Sequence, residues 1–95
     1  MNERLDSMLR RYEELSTLVQ DPELVKNQNK YRDLMREYSQ LGEIAVANNG
    51  IEILTTQCSD AKTLLQEEKD SDMRELAREE VKELEKRLQE AGEKL

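Results

Sequence analysis

Few side chains in this chain could do chemistry. The strongest candidates are two adjacent carboxylate pairs, Glu67-Glu68 and Glu79-Glu80, and one thiol, Cys58. Three phenols, Tyr12, Tyr31 and Tyr38, are the whole aromatic inventory. A carboxylate pair could hold a divalent cation or divide acid and base roles, but only where burial separates the two pKa values. Neighbouring residues on a helix point about 100° apart, so these pairs read as solvated surface. A nucleophilic Cys58 would need an activating base, and the chain contains no histidine. The same absence removes the commonest transition-metal ligand, and one cysteine can form neither an internal disulfide nor a cysteine zinc site. The tyrosines could stack on bases, yet Tyr31 and Tyr38 lie seven apart in phase with Leu34 and Leu41, the spacing of core filling. Glycine-rich phosphate loops, serine elbows and cysteine pairs are absent. The expectation is a chain with no catalytic, cofactor-binding or metal-binding residues.

The composition narrows the class of partner. Fifteen basic residues against 22 acidic ones leave a net charge of −7. The longest runs of adjacent basic residues are pairs, such as Arg10-Arg11 and Lys86-Arg87. A nucleic-acid binder normally shows a basic face, so sequence-specific binding to RNA or DNA is not expected. An acidic surface suits a basic protein better. No window of about 18 apolar residues could span a bilayer, and a lone free thiol fits a reducing cytoplasm.

The elements that must position these residues are helices. Leu, Ile and Val together number 21 of the 95 residues, enough for thin seams but not for a broad sheet or a deep pocket. One proline and three glycines are too few turns for an all-β fold. Leu5, Met8, Leu9, Tyr12, Leu15 and Val19 make one stripe and predict a helix over about 2–20. Asp21-Pro22 ends it. The proline is pre-set for the first position of a new helix, Asp21 can cap that helix, and Glu23 lies near its positive end.

A long helix is predicted over about 26–68. Its apolar positions run through Leu24, Tyr31, Leu34, Tyr38 and Leu41. They continue as Ile44, Ala47, Ile51, Leu54, Cys58, Ala61 and Leu65, in steps of three and four. Asn48-Asn49-Gly50 is a breaker signal, and a kink there is the alternative. The stripe nonetheless crosses Gly50 without a change of phase. A third helix is predicted over 72–95, with Asp72 capping in a box with Glu75 and a heptad-like seam of Met73, Ala77, Val81, Leu84, Leu88, Ala91 and Leu95. Glu83–Arg87 has the favourable order for an ion pair at four-residue spacing. The expected fold is all-α: a single helical domain over 1–95, an antiparallel, coiled-coil-like three-helix bundle with a long central helix. The seam still runs at Leu95, as in a piece of a longer protein.

Residues 21–44, DPELVKNQNKYRDLMREYSQLGEI, resemble the N-terminal helical region of the bacterial release factor 1 family of class-I peptide chain release factors. The matching positions are Asp21, Pro22, Glu23, Tyr31, Arg32, Leu34, Arg36, Glu37, Tyr38, Ser39 and Leu41. RYEEL at 11–15, DAKTLLQEEKD at 60–70 and MRELAREEVKELEKRLQE at 73–90 are similar to further stretches of that region, in the same order. The chain departs at Asn48-Asn49-Gly50, where the family has a tyrosine-rich run, and at Asp72-Met73, where it often has Asp-Pro. The family's Gly-Gly-Gln loop and its codon-reading tripeptide have no counterpart, since Gly42, Gly50 and Gly92 are isolated. The resemblance implies a non-catalytic accessory domain of a cytoplasmic protein several times longer. That protein would terminate translation at UAA and UAG. Its N-terminal domain would sit near the stalk base of the large ribosomal subunit and would work with the GTPase release factor. The rival expectation, from the heptad seams alone, is a self-associating coiled-coil scaffold or adaptor.

Overall fold

The computed structural model describes residues 2–95. Every regular element among them is helical: α1 (Glu3–Leu18), α2 (Pro22–Val25), α3 (Gln28–Glu67) and α4 (Ser71–Lys94). The chain is therefore all-α. It divides into two compact units, Met1–Val46 and Ala47–Leu95, and α3 runs from one into the other.

Side chains close the helix starts. The Asn2 carboxamide accepts from the Leu5 N–H at 3.0 Å, and the Asp21 carboxylate from the Glu23 N–H at 3.0 Å. Pro22 stands at the head of α2, where its missing N–H leaves no partner unsatisfied. The expected single helix over 26–68 has a different beginning. Leu24 closes a short turn of its own, and α3 starts at Gln28, where Asn27 accepts from the Lys30 N–H at 3.2 Å. The cap of α4 also lies two residues earlier than expected. Asp70, not Asp72, accepts the Met73 N–H at 3.0 Å, and the helix begins at Ser71. Arg74 then reaches back and donates to the carbonyls of Leu65 (2.8 Å) and Glu68 (3.0 Å), which serves the negative end of α3.

In the first unit, Leu15 of α1 is fully buried and Leu24 nearly so. In the second, Cys58 and Ala61 of α3 pack with Val81 and Leu84 of α4, and Leu54 flanks the cluster. Ala77 extends the buried line. Three of these six are alanine or cysteine, so little apolar bulk lies in the seam. The seam of α4 is shorter than its sequence stripe, since Met73 and Leu95 at its ends are exposed. Ala47, in phase on the α3 stripe, is exposed as well.

α3 continues through Asn48-Asn49-Gly50 without a break. Gly50 has negative φ, and a Cβ built on it meets no atom within 4 Å. Nothing local therefore requires glycine there. Gly50→Ala is expected to stabilise the chain by about 0.5–1 kcal/mol in urea unfolding; a loss of stability would show that the helix is not regular at that point. Asp70→Ala should cost about 0.5–2 kcal/mol as a lost cap, whereas Asp72→Ala should stay within about 0.5 kcal/mol of wild type.

Candidate functional site

The matching positions within residues 21–44 fall in the first unit, and the structure gives them distinct tasks. Asp21 and Pro22 turn the chain from α1 into α2. Tyr31 lies in the first turn of α3, half-buried, with its N–H on the Asn27 carbonyl at 2.9 Å. Leu34 and Leu41 are half-buried on the inner side of α3, and Arg32 is exposed. Glu37 and Tyr38 meet α1 directly.

That meeting is the most specific contact in the unit. The Arg11 guanidinium clasps Glu37 with two parallel bonds, Nε to Oε2 at 2.9 Å and Nη2 to Oε1 at 3.0 Å. Its remaining nitrogen, Nη1, donates to Glu14 at 3.1 Å. This fork fixes distance and orientation together, which a lysine could not do. Next to it, Tyr12 and Tyr38 lie nearly parallel, with ring centroids 5.0 Å apart and planes 8° apart. Gly42 faces this stack: a Cβ built there would meet the Tyr12 ring at 3.4 Å, about van der Waals contact. The tyrosines thus stack on each other, which leaves two ring faces fewer for any base.

The electrostatics follow from this contact. The hydrogen bonds from Arg11 hold the Glu37 carboxyl below its ordinary value of 4.5, with Coulomb attraction adding to them. The carboxylates of Glu37 and Glu14 push the Arg11 guanidinium further up. The Tyr12 hydroxyl is raised above its ordinary value of 10.0, chiefly by its Tyr38 neighbour. None of these groups is desolvated enough to serve as an acid or base near neutrality.

A cleft of about 380 Å³ lies in the same unit, lined by Leu18, Leu24 and Leu34 with Asp21, Asn27 and Lys30 around them. It brings Asp21 and Leu34 together but holds no pair of groups arranged for catalysis. Among the described residues, no cluster of three or more His, Cys, Asp or Glu is placed to hold a metal ion. Cys58 is buried in the seam of the second unit as a small apolar residue, and the carboxylates of Glu67, Glu79 and Glu80 belong to exposed residues. The clasp and the stack were not legible in the sequence. Arg11 lies off the apolar stripe of the first helix, and its partner depends on the register between α1 and α3.

An all-α chain whose marked residues join helices has the character of a helical accessory module. The PCRF domain family matches residues 8–95, and the chain belongs to that family. Among its curated relatives are bacterial proteins named peptide chain release factor 1. That of Bacillus licheniformis is 40% identical over 89 residues, 94% of this chain and 25% of the relative. That of Bacteroides fragilis is 38% identical over 86 residues, 90% of this chain and 23% of the relative. The Geobacillus sp. (strain WCH70) protein is 38% identical over 95 residues, all of this chain and 26% of the relative. The chain thus spans about a quarter of the length of the relatives it matches. No solved structure gives a significant match.

The Arg11–Glu37 clasp makes a prediction about acid. Because Glu37 is held below its ordinary value, the clasp contributes its full stability above that value and loses it as pH falls through the lowered one. A double-mutant cycle of Arg11→Met and Glu37→Gln in urea should show favourable coupling at neutral pH and none once Glu37 is protonated. Coupling that persists unchanged in strong acid would contradict the ionic account.

Proposed function

We propose that this chain is the N-terminal accessory domain of a bacterial peptide chain release factor 1. The full-length protein, on this reading, terminates translation at UAA and UAG in the cytoplasm. The observation that carries the proposal is the PCRF match over residues 8–95, joined to relatives of one name whose first quarter or so this chain would supply. In this role the chain itself is non-catalytic. It has no histidine and no Gly-Gly-Gln loop, so hydrolysis of peptidyl-tRNA falls to a region outside these 95 residues.

The finer architecture is part of the same proposal. Residues 1–95 act as one domain, an antiparallel three-helix bundle with α3 as the central helix. In support, α1 pairs with α3 through Arg11–Glu37 and Tyr12–Tyr38, and α4 pairs with α3 through the Cys58–Leu84 cluster. The partner is the ribosome, at the stalk base of the large subunit, with the GTPase release factor engaged from there. The −7 charge supports protein rather than RNA as the surface touched. On this reading Tyr31, Arg32, Leu34, Glu37, Tyr38 and Leu41 hold or face the first helix pair, with Asp21 and Pro22 setting its turn.

The test is a peptide-release assay on ribosomes stopped at defined codons. A full-length release factor 1 with this chain in place of its own N-terminal region should release peptide at UAA and UAG but not at UGA. The isolated chain should release none above background. Release by the isolated chain would overturn the non-catalytic assignment. A folded chimera that fails at both codons would overturn the domain assignment.

A further inference from the structure

The second unit, residues 47–95, holds a feature that the helix pairing does not use. Along one flank of the α3–α4 seam runs a cleft of about 390 Å³, with buried Ala61 and Leu84 among its lining. Leu64 forms an apolar wall of it and is 46% exposed. Two more large apolar side chains continue the same flanks. Ile53 lies one turn before Gln57, a lining residue of α3, and is 51% exposed. Leu76 lies one turn before Glu80, a lining residue of α4, and is 60% exposed. On α3 the positions Ile53, Gln57, Asp60 and Leu64 step by 4, 3 and 4, a second heptad stripe beside the one that faces α4. From Ile53 to Leu64 is about 16 Å, three helical turns.

The charge along this groove is acidic. The unit carries 13 acidic and 8 basic residues. Asp60 and Glu80 line the cleft, and neither has an ion-pair partner among the described residues. The one cation in the lining, Arg87, is engaged by Glu83 at 3.1 Å. Spaced apolar anchors with free carboxylates beside them match the apolar stripe and the Lys/Arg flanks of an amphipathic helix. A second copy of this chain fits less well, because it would bring the same carboxylates against each other.

We infer that the groove flanked by Ile53, Leu64 and Leu76, with Asp60 and Glu80 beside them, docks a basic amphipathic helix of another protein. The inference stands on the chemistry of this groove and does not require that the parent act in termination.

A fluorescent synthetic peptide with leucines at i, i+3, i+4 and i+7 and lysines elsewhere is the probe, with a scrambled peptide of the same composition as its control. Fluorescence anisotropy should give a micromolar Kd for the amphipathic peptide and binding at least roughly tenfold weaker for the scrambled one. The double variant Leu64→Ser/Leu76→Ser changes only exposed side chains, and circular dichroism should show its helicity intact. It should bind roughly tenfold more weakly. Asp60→Asn/Glu80→Gln, which leaves the apolar surface untouched, should weaken binding and flatten its salt dependence. Equal binding of both peptides, or variants that bind like wild type, would overturn the inference. So would sedimentation showing that the chain alone forms a dimer which Leu64→Ser/Leu76→Ser dissolves, since the groove would then hold a second copy.

Discussion

The uninterrupted phase of the apolar stripe on α3 is the constraint on which the other packing depends. α1 docks on its first part and α4 on its last, so each seam borrows one side from the same helix. With so few large aliphatic residues, neither α1 nor α4 can bury its stripe against anything broader. The absence of any neighbour around Gly50 means that the glycine is tolerated by the helix, not demanded by a turn.

The two units solve helix docking by different chemistry. The first has only Leu15 fully buried, and it adds the Arg11–Glu37 fork and the Tyr12–Tyr38 stack, both partly open to solvent. Such contacts set register more than they add stability, because each demands one relative position of the helices. The second relies on Cys58, Ala61, Ala77, Val81 and Leu84, a seam with buried side chains alone. Lys62–Glu85, at 3.7 Å and well exposed, lies outside that seam and adds little. Leu64 and Leu76 stand at positions beside the buried stripe and remain exposed on its flank.

Helix type and the long span of α3 were legible because periodicity integrates over many residues. At Asn48-Asn49-Gly50 the unchanged phase outweighed the local breaker signal. What one residue decides was not legible. Asp70 and Asp72 are both able caps, and the choice of Asp70 depends on where the loop after Glu67 places the chain. The separate turn of Pro22–Val25 could not be told from the start of a longer helix, since Asp21-Pro22 begins either. Met73 and Leu95 continue the stripe of α4 in sequence, yet they lie exposed at its ends. The Arg11–Glu37 clasp needed the register between two helices, which no single helix encodes.

A module built this way presents surfaces on a frame of paired helices. Its most specific residues join helices, and Ile53, Leu64 and Leu76 leave apolar surface beside an acidic groove. Both features rest on α3 being a single helix, and backbone carbon chemical shifts with amide hydrogen exchange across residues 44–56 measure that directly. Helical shifts throughout, with Asn48, Asn49 and Gly50 protected to the same degree as their neighbours, are the expected result. Coil-like shifts and fast exchange confined to those three residues would show two separate helices and contradict the account.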